Sequence, residues 1–192
     1  MHWWFGEGAT ASRIAAQQGR LWFGYRQSQD AEARERFGGL AGQALRGELD
    51  DWAQTPDGWL ALLILLDQLP RMIHRGTPGA FAGDAAAQAL LDSGLVRGLA
   101  SALAPIRQVF CYLVLEHAED LGRQERSVVA FSALADLHSG EERVPFDDFL
   151  NFARRHRDVI ARFGRFPHRN EILGRLSTDE ENQFLRQPGS RF

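Results

Sequence analysis

The sequence predicts an all-α protein, a single-domain antiparallel array of helices, on three observations. Apolar residues recur at helical spacing almost throughout the 192 residues. No run of β-branched residues alternates with polar ones as a half-buried strand requires. Proline, glycine and capping residues punctuate the periodic stretches at helix ends. Hydrophobic residues make up 44% and charged residues 24%, ordinary globular proportions, and no stretch reads as a flexible linker, so one domain over residues 1–192 is expected.

The first clear helix runs from about Asp30 to Arg46, with Ala33, Phe37, Leu40, Ala41, Ala44 and Leu45 in one apolar stripe and Gly47 as its stop. After Thr55-Pro56-Asp57, the run Trp59 to Leu66 is apolar on every side, the pattern of a helix surrounded by protein, and Pro70 is expected to end or kink it. Thr77-Pro78 reads as an N-cap and first helical residue opening an alanine-rich helix to Ser93-Gly94, whose small side chains permit close packing. Pro105 opens a helix carrying Ile106, Val109, Phe110, Leu113 and Val114. Beyond a break near Glu119-Asp120, Leu121, Val128, Phe131, Leu134 and Ala135 mark the next, stopping at Ser139-Gly140. Pro145 starts a helix with the stripe Phe146, Phe149, Leu150, Phe152, Ala153, Val159, Ile160 and Phe163, ended by Gly164. Ser177 and Glu180 match a capping box for a last helix containing Phe184 and Leu185, with Pro188 beyond its end and residues 189–192 expected to fray.

Composition excludes several function classes. A net charge of −3 and a pI near 6.1 argue against general attraction to nucleic acid or to an anionic membrane surface. The longest apolar run is far shorter than the roughly 20 residues a membrane span needs, and no secretory signal opens the chain, so a cytoplasmic protein is expected. All 22 basic residues are arginine, which removes Schiff-base lysines, P-loop lysines and lysine general bases. The single Cys111, between Phe110 and Tyr112, reads as a small buried hydrophobe. Gly6-Glu7-Gly8-Ala9-Thr10-Ala11 fits the loose dinucleotide fingerprint but lacks the strand that must precede it. H-E-x-x-H, G-x-S-x-G, paired C-x-x-C and EF-hand patterns are absent, and no cofactor is implied.

What remains is a set of polar groups on apolar helix faces. His117 shares the stripe of Ile106, Phe110 and Leu113, with Glu116 and Glu119 beside it, and His156 lies in line with Phe149, Ala153, Ile160 and Phe163. Asp67 follows Leu60, Leu63 and Ile64; buried there, it must be paired, and an arginine partner such as Arg71 or Arg75 is expected. Taken singly, each of these reads first as a satisfied core group that pins two helices together; convergence of the three would favour a site. Residues 154–175 hold seven arginines and two histidines against Asp158 and Glu171, a run that reads either as a solvated basic face or as a ligand site. Within them Arg162, Arg165, His168 and Arg169 could aim planar forks at a carboxylate or phosphate, with Phe163 and Phe166 as an apolar wall.

Trp4-Phe5-Gly6-Glu7, the run Leu60 to Arg71, the turn Arg75-Gly76-Thr77-Pro78 with Ala80-Phe81-Ala82 and Asp84, and Arg162 to Asn170 with Leu173 to Thr178 resemble the bacterial domain-of-unknown-function family nine-two-four over nearly the whole chain. The resemblance implies an all-helical fold similar to tetratricopeptide-like superhelices and no established activity. No internal repeat with the tetratricopeptide consensus is visible in the chain itself. Tyr112 to Glu119 is similar to the family's F-x-Y-L-P-[FL]-x-H-S-E, keeping His117 and Glu119, but Val114 stands for its proline and Ala118 for its serine, so a straighter helix is expected. The helix that usually precedes the family's W-F-G motif is not expected before Trp4-Phe5-Gly6 here.

These residues suggest a helical binding module whose concave pocket, lined by Asp67, Arg71, His117, Glu119, His156, Arg165, His168 and Arg169, holds a small anionic molecule or an acidic peptide end. The alternatives are an enzyme using His117 or His156 as general base with arginines stabilising developing charge, as in ester or phosphate hydrolysis, and a scaffold in which the polar groups only join helices. A metal site from His117, Glu119, His156 and Asp67 is chemically conceivable, but no ligand spacing supports it.

Overall fold

The computed structural model describes residues 1–190, all of them in helices, turns and their links, with no strand among the described residues. Two short N-terminal helices, α1 (His2–Phe5) and α2 (Ala11–Phe23), precede α3 (Gln27–Leu45). Then come α4 (Pro56–Leu63), α5 (Leu69–Ile73), α6 (Asp84–Val96), α7 (Pro105–Glu116), α8 (Leu121–Asp136), α9 (Val144–Phe163) and α10 (Asp179–Phe184). α6 packs on α7, α7 on α8, and α8 most extensively on α9, the neighbour-on-neighbour order of a helical array. α2 also lies against α7 and α9. In a one-dimensional solenoid each unit meets only its neighbours, so this array closes back on itself.

The all-apolar run behaves as its composition demands. Trp59 to Leu66 are buried apart from the partly covered Ala61, and one continuous core reaches from Trp4 to Ala153 through Phe110, Phe131 and Phe146. Phe110 of α7 takes ring edges from Trp4, Phe5 and Trp22 at 5.4, 5.3 and 4.8 Å, and the Trp22 indole N–H donates to the Trp4 carbonyl at 2.8 Å. These aromatic contacts seal α1 and α2 onto α7. Cys111 is fully buried in the same core, and burial pushes its thiol far above the usual range.

Several boundaries differ from the expectation for local physical reasons. Pro70 does not stop the buried run, which stays helical to Ile73, but the α-helical pattern is interrupted just before it. The chain widens into a π-turn over Ile64–Gln68, with Leu69 N–H reaching the Ile64 carbonyl, and runs on without a break into α5, whose second residue is Pro70. Thr77 does not cap a helix: its hydroxyl donates to the His74 carbonyl, Pro78–Phe81 form a 3-10 turn, and α6 starts only at Asp84. The capping box falls one residue later than expected, with Thr178 receiving the Glu181 N–H and Glu181 accepting from Thr178 N–H. Ser177 instead accepts from the Asn170 side chain at 3.0 Å. α2 went unread in the sequence; Thr10 caps it, inside the glycine-rich stretch that resembled a nucleotide fingerprint.

The tail is held further than its composition suggests. Ser190 is buried and donates to the Leu185 carbonyl, while Arg155 donates to the Gly189 carbonyl; residues 191 and 192 lie outside the described residues. Gly164 ends α9 as expected, in the left-handed conformation at φ 68°. It turns the chain into a C-terminal segment with its own small core of Val159, Ile160 and Phe166, backed by Phe163 and Phe184. No helix among the described residues is long and apolar enough to cross a membrane.

Candidate functional site

Three of the polar groups singled out by the sequence are in direct contact. The π-turn buries two successive polar residues, Asp67 and Gln68, and the Gln68 amide donates to an Asp67 carboxylate oxygen. His117, at the C-terminal end of α7, brings Nδ1 to 2.8 and 2.9 Å of the two Asp67 oxygens. Arg71 of α5 lies 3.3 Å from the same carboxylate and donates to the Asp67 main-chain carbonyl at 2.7 Å. Asp67 is 1% exposed, so its charge depends on these partners. Burial alone would raise its carboxyl, but Arg71 and His117 together overcome that and hold it well below the usual carboxylate range.

Ionised, Asp67 can only accept, so Nδ1 of His117 carries the proton. Burial and the neighbouring Arg71 push the His117 imidazole down from its ordinary value against the pull of Asp67, so the ring is neutral at pH 7. Its Nε2 therefore presents a lone pair. No group among the described residues bonds to Nε2, and the side chain remains partly exposed.

Asp84, in the first turn of α6, completes the cluster. It accepts both Arg71 nitrogens at 2.8 and 3.2 Å and one nitrogen of Arg169 at 3.3 Å. Arg169 comes from the 3-10 turn Pro167–Arg169, is buried between the rings of Phe81 and Phe166 at 4.7 and 4.5 Å, and donates to the His117 carbonyl at 3.0 Å. Burial, then Arg71, lowers its guanidinium to about 10, still protonated at neutral pH. Two arginines and two carboxylates balance around a neutral imidazole.

Behind His117 lies a second, drier pair. Glu116 and His156 are both buried, with His156 Nδ1 3.0 Å from Glu116 Oε1 and 2.9 Å from the Phe152 carbonyl. A carbonyl only accepts, so this Nδ1 also bears a proton. Burial lowers His156 to about 3, and burial with the nearby Asp67 charge raises Glu116 well above its ordinary value. Both shifts favour the uncharged forms of the pair, and Glu116 Oε2 has no partner among the described residues.

The remaining residues of the expected pocket lie outside this cluster. Glu119 accepts the Phe166 N–H at 2.7 Å and the Arg175 fork at 2.6 and 2.9 Å, so it fastens the C-terminal segment to the α7–α8 turn. Arg165 binds Glu181 through two nitrogens and also the Leu176 carbonyl. Glu181 is held down to about 2, chiefly by that fork. Arg162 pairs with Glu180. His168 leans on the Phe166 ring at 5.6 Å, near His156. The forks expected to await a ligand are thus occupied by the chain's own carboxylates. Among the described residues no three His, Cys, Asp or Glu side chains are grouped as a metal ion would need. Phe81, Asp84 and Glu116 join the cluster although the sequence reading left them out of the expected pocket. Two surface clefts lie elsewhere, one of about 290 Å³ bounded by Arg155, Phe163 and Phe184, the other of about 440 Å³ around Tyr25.

Fold and site together define an all-helical domain with a charge-balanced Asp–His–Arg cluster where α5, α6, α7 and the C-terminal segment meet. The chain belongs to the DUF924 family, described as bacterial proteins of unknown function, whose profile matches residues 1–189. It is similar to the solved structure of a protein of unknown function from Agrobacterium tumefaciens, with 39% identity and a TM-score of 0.77 over 86% of this chain and 88% of that one. The sequence matches no curated protein.

Proposed function

We propose that Asp67 and His117 form an acid–base centre acting on a small anionic substrate, as in hydrolysis of an ester or phosphoester. The observation that carries this reading is the placement of both Asp67 oxygens on His117 Nδ1, which leaves a neutral Nε2 unengaged at the partly exposed edge of the cluster. Asp67 fixes the tautomer and stabilises the imidazolium that forms when Nε2 takes a proton from water. The imidazolium returns the proton to the leaving group. Arg71 and Arg169, which share the Asp84 carboxylate, stand beside the ring to stabilise negative charge that develops in the transition state. Simple capture of an anion by these arginines is less favoured, because their forks already face Asp84 and, for Arg71, Asp67.

The decisive experiment follows the ring itself, so it needs no knowledge of the substrate. Nitrogen-15 spectra are expected to show Nδ1 protonated and Nε2 bare at pH 7, with an apparent pKa below the ordinary histidine value. Diethyl pyrocarbonate should then modify His117 readily, and Asp67→Asn should abolish the tautomer preference. With p-nitrophenyl acetate or p-nitrophenyl phosphate, His117→Gln is expected to lower kcat/KM about 100-fold or more. A charged ring at pH 7, or a proton on Nε2, would sink the proposal and leave the cluster as a clamp between helices.

A further inference from the structure

We infer that the cleft around Tyr25 is a second site, which binds a small molecule bearing a phosphate or carboxylate group. The cleft lies between the start of α3 and the end of α5, lined by Tyr25, Gln27, Asp30, Arg34, Met72 and Arg75 among others, and its volume of about 440 Å³ falls in the range of small-molecule sites. Its arginines differ from those of the His117 cluster in being exposed and in keeping donors free on that exposed side. Arg34 gives one nitrogen, Nη2, to the Ile73 carbonyl, leaving Nε and Nη1 without an acceptor among the described residues. Arg75 grips Asp30 with Nε and Nη2 at 2.7 and 3.0 Å, leaving Nη1. Asp30 cancels one of these two charges, so the cleft carries a net positive charge.

An independent feature adds donors of the same kind. α3 is 19 residues long, yet no side chain caps its N-terminus, and the N–H groups of Gln27 and Ser28 have no acceptor among the described residues. Helix N-termini and arginine forks both favour oxyanions. The Tyr25 ring, 68% exposed, with the Arg75 guanidinium 5.1 Å from its centre, offers an apolar surface against which the body of such a ligand can rest. The observations thus specify one charged end and one flat or apolar end.

Calorimetric titration of the full chain with inorganic phosphate, malonate and phenyl phosphate tests this. Phosphate or malonate is expected to bind, shifting the Gln27 and Ser28 amide resonances, and whichever does so identifies the oxyanion. Phenyl phosphate should bind several-fold more tightly than phosphate, and Tyr25→Ala should remove that advantage. Arg34→Gln should weaken every ligand about tenfold or more, the scale of one charge-assisted hydrogen bond. Arg13→Gln, an exposed arginine on α2, should change nothing. Both residues of the cleft to be varied are exposed, so the fold should survive; melting curves check this. No binding by any of the three probes, or equal weakening by Arg13→Gln and Arg34→Gln, overturns the inference. The site is independent of the acid–base reading: His117→Gln should leave phosphate binding at Arg34 intact.

Discussion

Glu116 and His156 show how one buried contact sets a pH dependence. The folded pKa of His156, about 3, lies below its unfolded value, so its contribution is present above about pH 6.5 and is lost as pH falls toward 3. Glu116 is shifted the other way: its contribution is present below about pH 4.5 and is lost as pH rises through its raised folded value. Between those limits the two slopes oppose each other. Glu116→Gln removes only the second, so as pH rises above about 4.5 urea unfolding should favour the variant progressively, by up to about 1.4 kcal/mol per pH unit relative to wild type. Parallel curves would mean that Glu116 is ionised in the fold. At this scale the sequence was partly legible. Asp67 and His156 stand out because polar groups on apolar stripes demand partners. Asp84 does not: its partner Arg169 is 85 residues away, and nothing local announces the pairing. The basic run at 154–175 misleads for the same reason, since Glu119, Asp84, Glu180 and Glu181 neutralise it from outside.

Close approach of α4 and α6 decides what the alanine-rich helix tolerates. A Cβ built on Gly94 would lie 2.1 Å from Trp59 Cε2, inside the most deeply buried indole, whose N–H donates to the Leu90 carbonyl at 2.9 Å. Ala is the better helix former by about 1 kcal/mol, but overpacking costs about 1–3 kcal/mol or more, so Gly94→Ala should lower the melting temperature. Gly19→Ala, in α2 with nothing within 4 Å of the new methyl, should raise it by the propensity term alone. If Gly94→Ala were neutral, α6 would have to sit further from Trp59. The buried run at Trp59, the stop at Gly164 and the start at Pro105 were legible because each rests on one local rule. The π-turn was not, because the run that leads into it is apolar on every side, so the phase shift of an extra residue leaves no mark there. α2 was missed where Gln17, Gln18 and Gly19 interrupt its stripe.

Across the whole molecule, the core from Trp4 to Ala153 and the C-terminal segment differ in what holds them. The first is continuous apolar packing; the second is a small cluster tied down by charged contacts, of which Glu119 with Arg175 and the Phe166 N–H is the central one. Burial raises the Glu119 carboxyl less than Arg175 and the Phe166 amide lower it, so it stays ionised and needs its partner. Arg175→Met keeps much of the side-chain bulk and removes the fork, at a cost of about 2 kcal/mol for a half-buried carboxylate left with one donor. That loss should be local: native-state hydrogen exchange should speed up between Phe166 and Leu185 while α7 and α8 keep their protection. Because Arg169 rides on this segment and reaches Asp84 and the His117 carbonyl, loosening it should also raise the reactivity of the His117 ring toward diethyl pyrocarbonate. Uniform loss of protection over the chain would show instead that the segment and the core unfold as one unit, with Arg169 held by the fold around Phe81 rather than by the Glu119 contact.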